Sequence, residues 1–180
     1  MKTAIPATII LMLLAPMAHS DTTFGHWSTG ATSDKSGVYA ATANDDGAVF
    51  GKYCYFSTKD CSWHIAIDMA CEKEAYYPVL LNSDNGAASV MLQCVGPMKG
   101  SNLFQYVFNN WKDVEKIVKT GSRVGIATPL QSDQFKVYRF LLDGMTQATD
   151  SVETPFFAAV AAISPKNTTK PTKTTTSEIL

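Results

Sequence analysis

Past the first twenty positions the chain carries four cysteines, Cys54, Cys61, Cys71 and Cys94, and two histidines, His26 and His64. These are the residues whose types could do chemistry. Cys61 and His64 stand three apart and could form a thiol–imidazole pair, or the cysteines and histidines could hold zinc. The zinc reading has little support. No C-x-x-C is present, and the cysteines are separated by 6, 9 and 22 residues, which matches no common zinc pattern. Four cysteines behind a start with Lys2 and a largely apolar run from Ala4 to Ala15, the pattern of an export signal, point instead to two disulfides, with three possible connectivities. Cys54–Cys61 with Cys71–Cys94 is favoured, because the first joins two strand ends across a short turn and the second ties a strand end to a hairpin arm. Cys54–Cys94 with Cys61–Cys71 is the next choice. Each bridge is worth about 2–4 kcal/mol, more for the longer loop.

His64 is the one conceivable general base. Asp68 lies on the same strand face four residues on, about 13 Å away in an extended chain, too far for a hydrogen bond. The sequence contains no G-x-S-x-G, no phosphate-binding loop and no H-E-x-x-H. Asp45, Asp46, Glu72, Glu74 and Asp143 fall in loops or strand ends, where solvated charge is the expected role. Asp45–Asp46–Gly47 lacks the alternating oxygen ligands and distal Glu of a calcium loop. No catalytic, cofactor-binding or metal-ligating residue is therefore assigned, no cofactor is expected, and a small hydrolase centred on His64 stands only as a minor alternative.

The elements that would carry these residues are mostly strands. Residues 21–36 are rich in Thr, Ser and Gly and read as an extended lead-in with Trp27 as an anchor. Residues 38–43 and 48–56 flank Asn44-Asp45-Asp46-Gly47, a turn whose residues tolerate the left-handed backbone of a tight hairpin. From Cys61 to Cys71 a strand alternates, with Trp63, Ile65, Ile67 and Met69 on one face and Ser62, His64, Ala66 and Asp68 on the other. Residues 76–82 and 87–95 flank Ser83-Asp84-Asn85-Gly86, whose Asn-Gly is a strong hairpin signal, and Pro78 confines the first of these strands to an edge or a late start. Residues 103–108 form a further strand. Asn110 is placed to cap a short helix with Trp111, Val114, Ile117 and Val118 on one face, and Gly121 is placed to end it. Residues 123–128 and 135–142 make two more strands. Gly144 opens a helical segment to about Val152, and the apolar run from Phe156 to Ile163 reads as a last core strand.

The ends speak about compartment. Residues 1–20 have a short positive start at Lys2, a run of 12 residues from Ala4 to Ala15 that is largely apolar, and Ala18-His19-Ser20 before a cut ahead of Asp21. This is the pattern of a signal peptide, since a bilayer needs roughly 20 apolar residues. Its removal takes away Lys2, so 15 cations and 16 acids become 14 and 16, a net charge of −2. Such a balance argues against nucleic acid as a partner, and no membrane span is expected in the mature chain. Residues 164–180, dominated by Thr, Lys and Pro, read as a disordered tail with a glycosylation sequon at Asn167. Residues 21–163 form the remaining domain.

The second half carries a resemblance. YPVLLN at 77–82 with Cys94 downstream is followed by the helix at 111–121, GSRVGIATPL at 121–130 and FKVYRFLLDGMTQAT at 135–149. Over residues 50–152 this order resembles the invasion-associated locus B family, with Gly144-Met145 where the family often has Gly-Phe. The family's close cysteine pair late in the chain has no counterpart here. The resemblance implies a small exported β protein of Gram-negative envelopes, connected with host-cell interaction, with no catalytic residues to carry over.

Together these readings predict a mainly β, single-domain antiparallel sandwich or barrel of about seven to nine strands, with one or two short helices and two disulfides. The expected function is a non-enzymatic binding or accessory protein, periplasmic or secreted, whose partner is a protein or another envelope component. The alternative is an inhibitor of a cell-wall hydrolase.

Overall fold

A computed structural model describes residues 21–130 and 134–163. The segments read as a signal peptide and as a tail lie outside them. Ten strands form one antiparallel sheet: β1 (Thr22–Phe24), β2 (Trp27–Ala31), β3 (Gly37–Ala43), β4 (Val49–Tyr55), β5 (Asp60–Ile67), β6 (Tyr76–Ser83), β7 (Gly86–Pro97), β8 (Phe104–Phe108), β9 (Arg123–Pro129) and β10 (Phe135–Leu141). Their order across the sheet is β1-β2-β3-β4-β5-β8-β7-β6-β9-β10. Among the described residues two helices, α1 (Trp111–Val118) and α2 (Met145–Ile163), accompany the sheet. No helix among the described residues is long and apolar enough to cross a membrane.

The count exceeds the expected seven to nine because the lead-in is structured. Its Thr and Ser residues form β1 and β2, which turn at Gly25 (φ 55) and continue the sheet beyond β3. Trp27 in β2 is only 1% exposed and packs edge-on against Phe50 and Trp63, at 6.1 Å from each.

The sheet curls. β4 and β10 stand six places apart, about 29 Å in a flat sheet, yet the rings of Phe50 and Phe140 are 5.5 Å apart. Across the seam the Trp27 indole N–H donates to the Leu141 carbonyl at 3.0 Å, and the His26 amide to the Asp143 carbonyl at 3.2 Å. The core fills the space enclosed, with Phe50 stacked on Trp63 at 4.9 Å and edge-on to Phe108 at 6.0 Å.

Both hairpin turns lie where the sequence placed them. At the second, Ser83 pairs with Gly86, so Asp84-Asn85 form the two-residue turn and the positive φ falls on Gly86 (φ 125). Pro78 occupies the part of β6 that pairs with β7 alone, because β9 joins β6 only from Leu80 onward. A proline there sacrifices no ladder hydrogen bond on its free side. The disulfides are Cys54–Cys61, across the β4–β5 hairpin, and Cys71–Cys94.

Other expectations give way. β5 ends at Ile67 and does not run on to Cys71, because Asp68 leaves the ladder to accept hydrogen bonds from the Lys136 ammonium (2.7 and 2.8 Å) and the Tyr138 hydroxyl (2.6 Å). Trp111 lies exposed at the start of α1, while Val114, Ile117 and Val118 are buried. Asn110 precedes the helix but makes no side-chain cap bond; its amide contacts the Asp113 carboxylate instead.

Residues 156–163 are not a strand. They are the second half of α2, which runs unbroken through Pro155. Met145, Ala148, Thr149, Val152 and Phe156 are its buried positions, at helical spacing, and α2 packs on β1–β4. Four of the eight residues in the apolar run are alanine, the strongest helix former.

Lys52, in the middle of β4, ties both helices to the sheet. Its ammonium lies 3.1 Å from Glu115 of α1 and 2.6 Å from Glu153 of α2, and Glu115 also accepts the Trp63 indole N–H at 2.7 Å.

Candidate functional site

β4 and β5 present two faces, and their alternation sorts the chemistry. Phe50, Lys52 and Cys54 of β4, with Cys61, Trp63, Ile65 and Ile67 of β5, point into the core. Tyr53 and Tyr55, with Ser62, His64 and Ala66, point the other way. The register of the β3–β4 hairpin sets Tyr39 opposite Tyr53, and β8 brings Gln105 opposite Ala66. The loop from Thr32 to Ser36 and Met98 close the sides. The result is an open groove of about 260 Å³ on the outer face of β3, β4, β5 and β8.

Its floor is a row of rings. Tyr39 and Tyr53 stack at 5.7 Å, Tyr53 and Tyr55 at 6.5 Å, and the His64 imidazole tilts against Tyr53 and Tyr55 at 5.0 and 5.9 Å. Burial pushes the Tyr53 phenol up to about 12, aided by its neighbours Tyr55 and Tyr39. Tyr39 and Tyr55 are raised for the same first reason. All three stay neutral phenols at pH 7, each offering an O–H and an apolar ring. At the rim Asp34 accepts hydrogen bonds from the Ser36 amide (3.0 Å), the Ser36 hydroxyl (2.7 Å) and the Thr32 hydroxyl (2.7 Å). These hold its carboxyl down at about 2, so the rim keeps a fixed negative charge.

His64 is buried at 6% exposure and sits opposite Gly51, which offers no side chain to compete for the space. Its Nε2 lies 2.8 Å from the Ser62 hydroxyl and its Nδ1 3.0 Å from the Gln105 amide nitrogen. A serine and a histidine in contact form half of a hydrolytic dyad, so the third group decides the chemistry. An amide nitrogen can only donate, so Nδ1 accepts and the ring proton sits on Nε2, which donates to Ser62. A base would need that lone pair free. Burial also holds the imidazole down to about 4, far below the range in which it takes a proton from a hydroxyl at neutral pH.

The residues that sequence reasoning singled out are dispersed. Cys61 is oxidised and faces the core, on the opposite side of β5 from His64. Asp68 is held by Lys136 and Tyr138, bonds that lower its carboxyl. Asp45, Asp46, Glu72, Glu74 and Asp143 are exposed, and exposed His26 lies 3.8 Å from Asp143. Cys54, Cys61 and Glu153 bring three potential ligand atoms within 4.8 Å of one another. Both sulfurs are in the disulfide, so no thiolate is offered to a metal. Sequence reasoning missed the tyrosines and Gln105. Tyr53 and Tyr55 are two apart on one strand and Tyr39 follows from the hairpin register, so the row was open to inference; Gln105 was not, because β8 is distant in sequence.

No protein-family model and no curated protein sequence matches the chain. Its fold, however, has a solved counterpart. The chain is similar to invasion associated protein B of Bartonella henselae. The crystal structure of that protein is matched over 97% of its length and 76% of this chain, with a TM-score of 0.52 and 15% identity. At that identity the likeness is one of fold. It agrees at that level with the resemblance read from residues 50–152.

Proposed function

We propose that the chain is an exported, non-catalytic binding protein of the bacterial envelope, and that the tyrosine groove is its contact surface. The observation that carries this reading is His64. The imidazole of the groove has both nitrogens engaged by neutral partners and its basicity suppressed, so the site offers rings, hydroxyls, an amide and the Asp34 carboxylate for contact, and its histidine is not poised to move a proton. Two disulfides suit an oxidising compartment. The fold likeness to an invasion associated protein supports an accessory role at the envelope. Phenols with accessible rings fit a partner that presents an aliphatic or sugar-like face together with hydrogen-bonding groups.

Co-sedimentation of the purified protein with isolated envelope fractions and with host-cell surface fractions tests the proposal. Saturable retention in one of them is expected, with at least about a tenfold loss in Tyr39→Ala and Tyr55→Ala, since a buried aromatic anchor in an interface is worth about 2 kcal/mol or more. Retention in neither fraction refutes binding. Hydrolytic turnover that His64→Ala abolishes refutes the non-catalytic reading.

A further inference from the structure

On the other half of the sheet, three strands bring unlike residues into one row. Asn82 of β6 pairs with Gly125 of β9, and Gly125 pairs with Arg139 of β10. Arg123 stands two residues before Gly125, so its Cα lies on the diagonal from Arg139, about 7–8 Å away. These are the only two arginines in the chain, among 15 Lys and Arg residues. Both are exposed, and among the described residues neither makes an ion pair. Between them Gly125 leaves a depression. A Cβ there would sit 2.4 Å from the Asn82 side-chain oxygen, so the amide lies across bare backbone. The cleft is about 370 Å³ and polar-lined, with Ser83 and Asp84 at its end.

The other groups of the cleft are already committed. The Ser83 hydroxyl donates to the Ile117 carbonyl at 2.8 Å. Asp84 accepts the Ser122 amide at 3.0 Å and the Ser122 hydroxyl, and these bonds, with the nearby Arg123 charge, lower its carboxyl. What remains open is two guanidinium forks, Arg123 lying near enough to Asp84 to help lower its carboxyl, with one net positive charge after Asp84 is counted; the Asn82 oxygen over Gly125 is an acceptor and adds no donor there. Guanidinium forks match the geometry of an oxyanion and bind it through paired charge-assisted hydrogen bonds.

We propose that Arg123 and Arg139 form a phosphate-binding site, with Gly125 as its floor and Asn82 at its edge. The phosphate is either a free anion or the headgroup of a lipid, since the donors that would recognise them are the same. The site is separate from the tyrosine groove and does not depend on it.

The test has two arms on the purified protein. In the first, backbone and arginine Nε resonances are followed by NMR during titration with inorganic phosphate at pH 7.5, with chloride holding ionic strength constant. Saturable shifts at Asn82, Gly125, Arg123 and Arg139 are expected. Arg139→Gln and Arg123→Gln should each weaken binding at least about tenfold, the size of one lost charge-assisted hydrogen bond. Arg139→Lys, which keeps charge but not the fork, should fall between. Asp84→Asn, which keeps an acceptor for Ser122, should tighten it. In the second arm, binding is measured to phosphatidylcholine vesicles with and without phosphatidylglycerol. Phosphate saturation alone identifies a soluble anion, binding only to the phosphatidylglycerol vesicles identifies a headgroup, and both together identify a site that accepts either. Absence of saturable binding in both arms, or folded Arg139→Gln and Arg123→Gln that bind like the parent, overturns the proposal.

Discussion

Lys52→Met probes the join between sheet and helices, because one ammonium links the sheet to both helices. Breaking a fully buried ion pair by removing one partner costs about 3–5 kcal/mol, mostly from the charge left behind. Here the Lys52 side chain is 8% exposed, whereas those of Glu153 and Glu115 are 23% and 39% exposed. The orphaned carboxylates can therefore draw in water, and Glu115 keeps the Trp63 indole donor. Methionine also retains most of the buried stem. These reductions bring the expected loss to about 2 kcal/mol, or about 4–8 °C in Tm for a domain of this size. Urea unfolding followed by the fluorescence of buried Trp27 and Trp63 reads it, and hydrogen exchange should show α2 amides opening first. The double variant Lys52→Met/Glu153→Leu should recover at least half of the loss, because it removes the stranded charge. A single variant within ~0.5 kcal/mol of the parent, or a double variant no better than the single, refutes this account.

Three further outcomes follow from the same geometry. His64 is neutral in the folded chain down to about pH 4, whereas the unfolded chain protonates it near the usual 6.5. The unfolded state therefore binds the extra proton between these values, and stability present above pH 6.5 is lost as pH falls towards 4. The loss between pH 7 and pH 5 should be about 2 kcal/mol, measured as the difference between parent and His64→Gln in urea unfolding; identical pH profiles would contradict it. Gly144→Ala should be far worse than Gly47→Ala, although both glycines have positive φ (84 and 79). A Cβ at 144 would meet the Phe24 carbonyl oxygen at 1.8 Å, while one at 47 meets nothing within 4 Å. Thermal melts should show about 1 kcal/mol lost at Gly47 and several at Gly144. Finally, loop-closure entropy ranks the disulfides. With separations of 7 and 23 residues, removal of Cys54–Cys61 should cost about 2 kcal/mol and removal of Cys71–Cys94 about 3 kcal/mol, read as urea midpoints of paired Cys→Ala variants.

What the sequence revealed and what it concealed divide along a physical line. Turn chemistry at Asn44–Gly47 and Asp84–Gly86 located two hairpins, and each hairpin fixes its own register without help from the rest of the chain. The favoured disulfide pairing followed from the same local logic. Alternation in β5 correctly put Trp63, Ile65 and Ile67 inside, but it could not say that the opposite face was also covered. His64 and Ala66 are buried there because β8 and the Thr32–Ser36 loop arrive from elsewhere in the chain. The error at residues 156–163 has a different origin. By length alone an apolar run too short for a membrane reads as a strand, although its alanines favour a helix and its burial continues the stripe begun at Met145.

Contacts created by closure of the sheet have no local signature at all. Lys52 meets Glu115 across 63 positions, and Asp68 meets Tyr138 across 70. The arginine row needs three strands in register before it exists. Each of the charged residues, Lys52, Glu115, Asp68, Arg123 and Arg139, taken singly, reads as an ordinary solvated charge on a strand or helix. The sheet's curl turns Lys52 into an internal strut, while the row of β6, β9 and β10 gathers Arg123 and Arg139 on an open face. The curl is held at its seam by Trp27 and Leu141 and by Gly144 beneath Phe24. Loosening that seam by Gly144→Ala should therefore disturb the Lys52 strut as well as β1, whereas the arginine row, built from direct strand pairing, should keep its geometry for as long as β6, β9 and β10 remain paired.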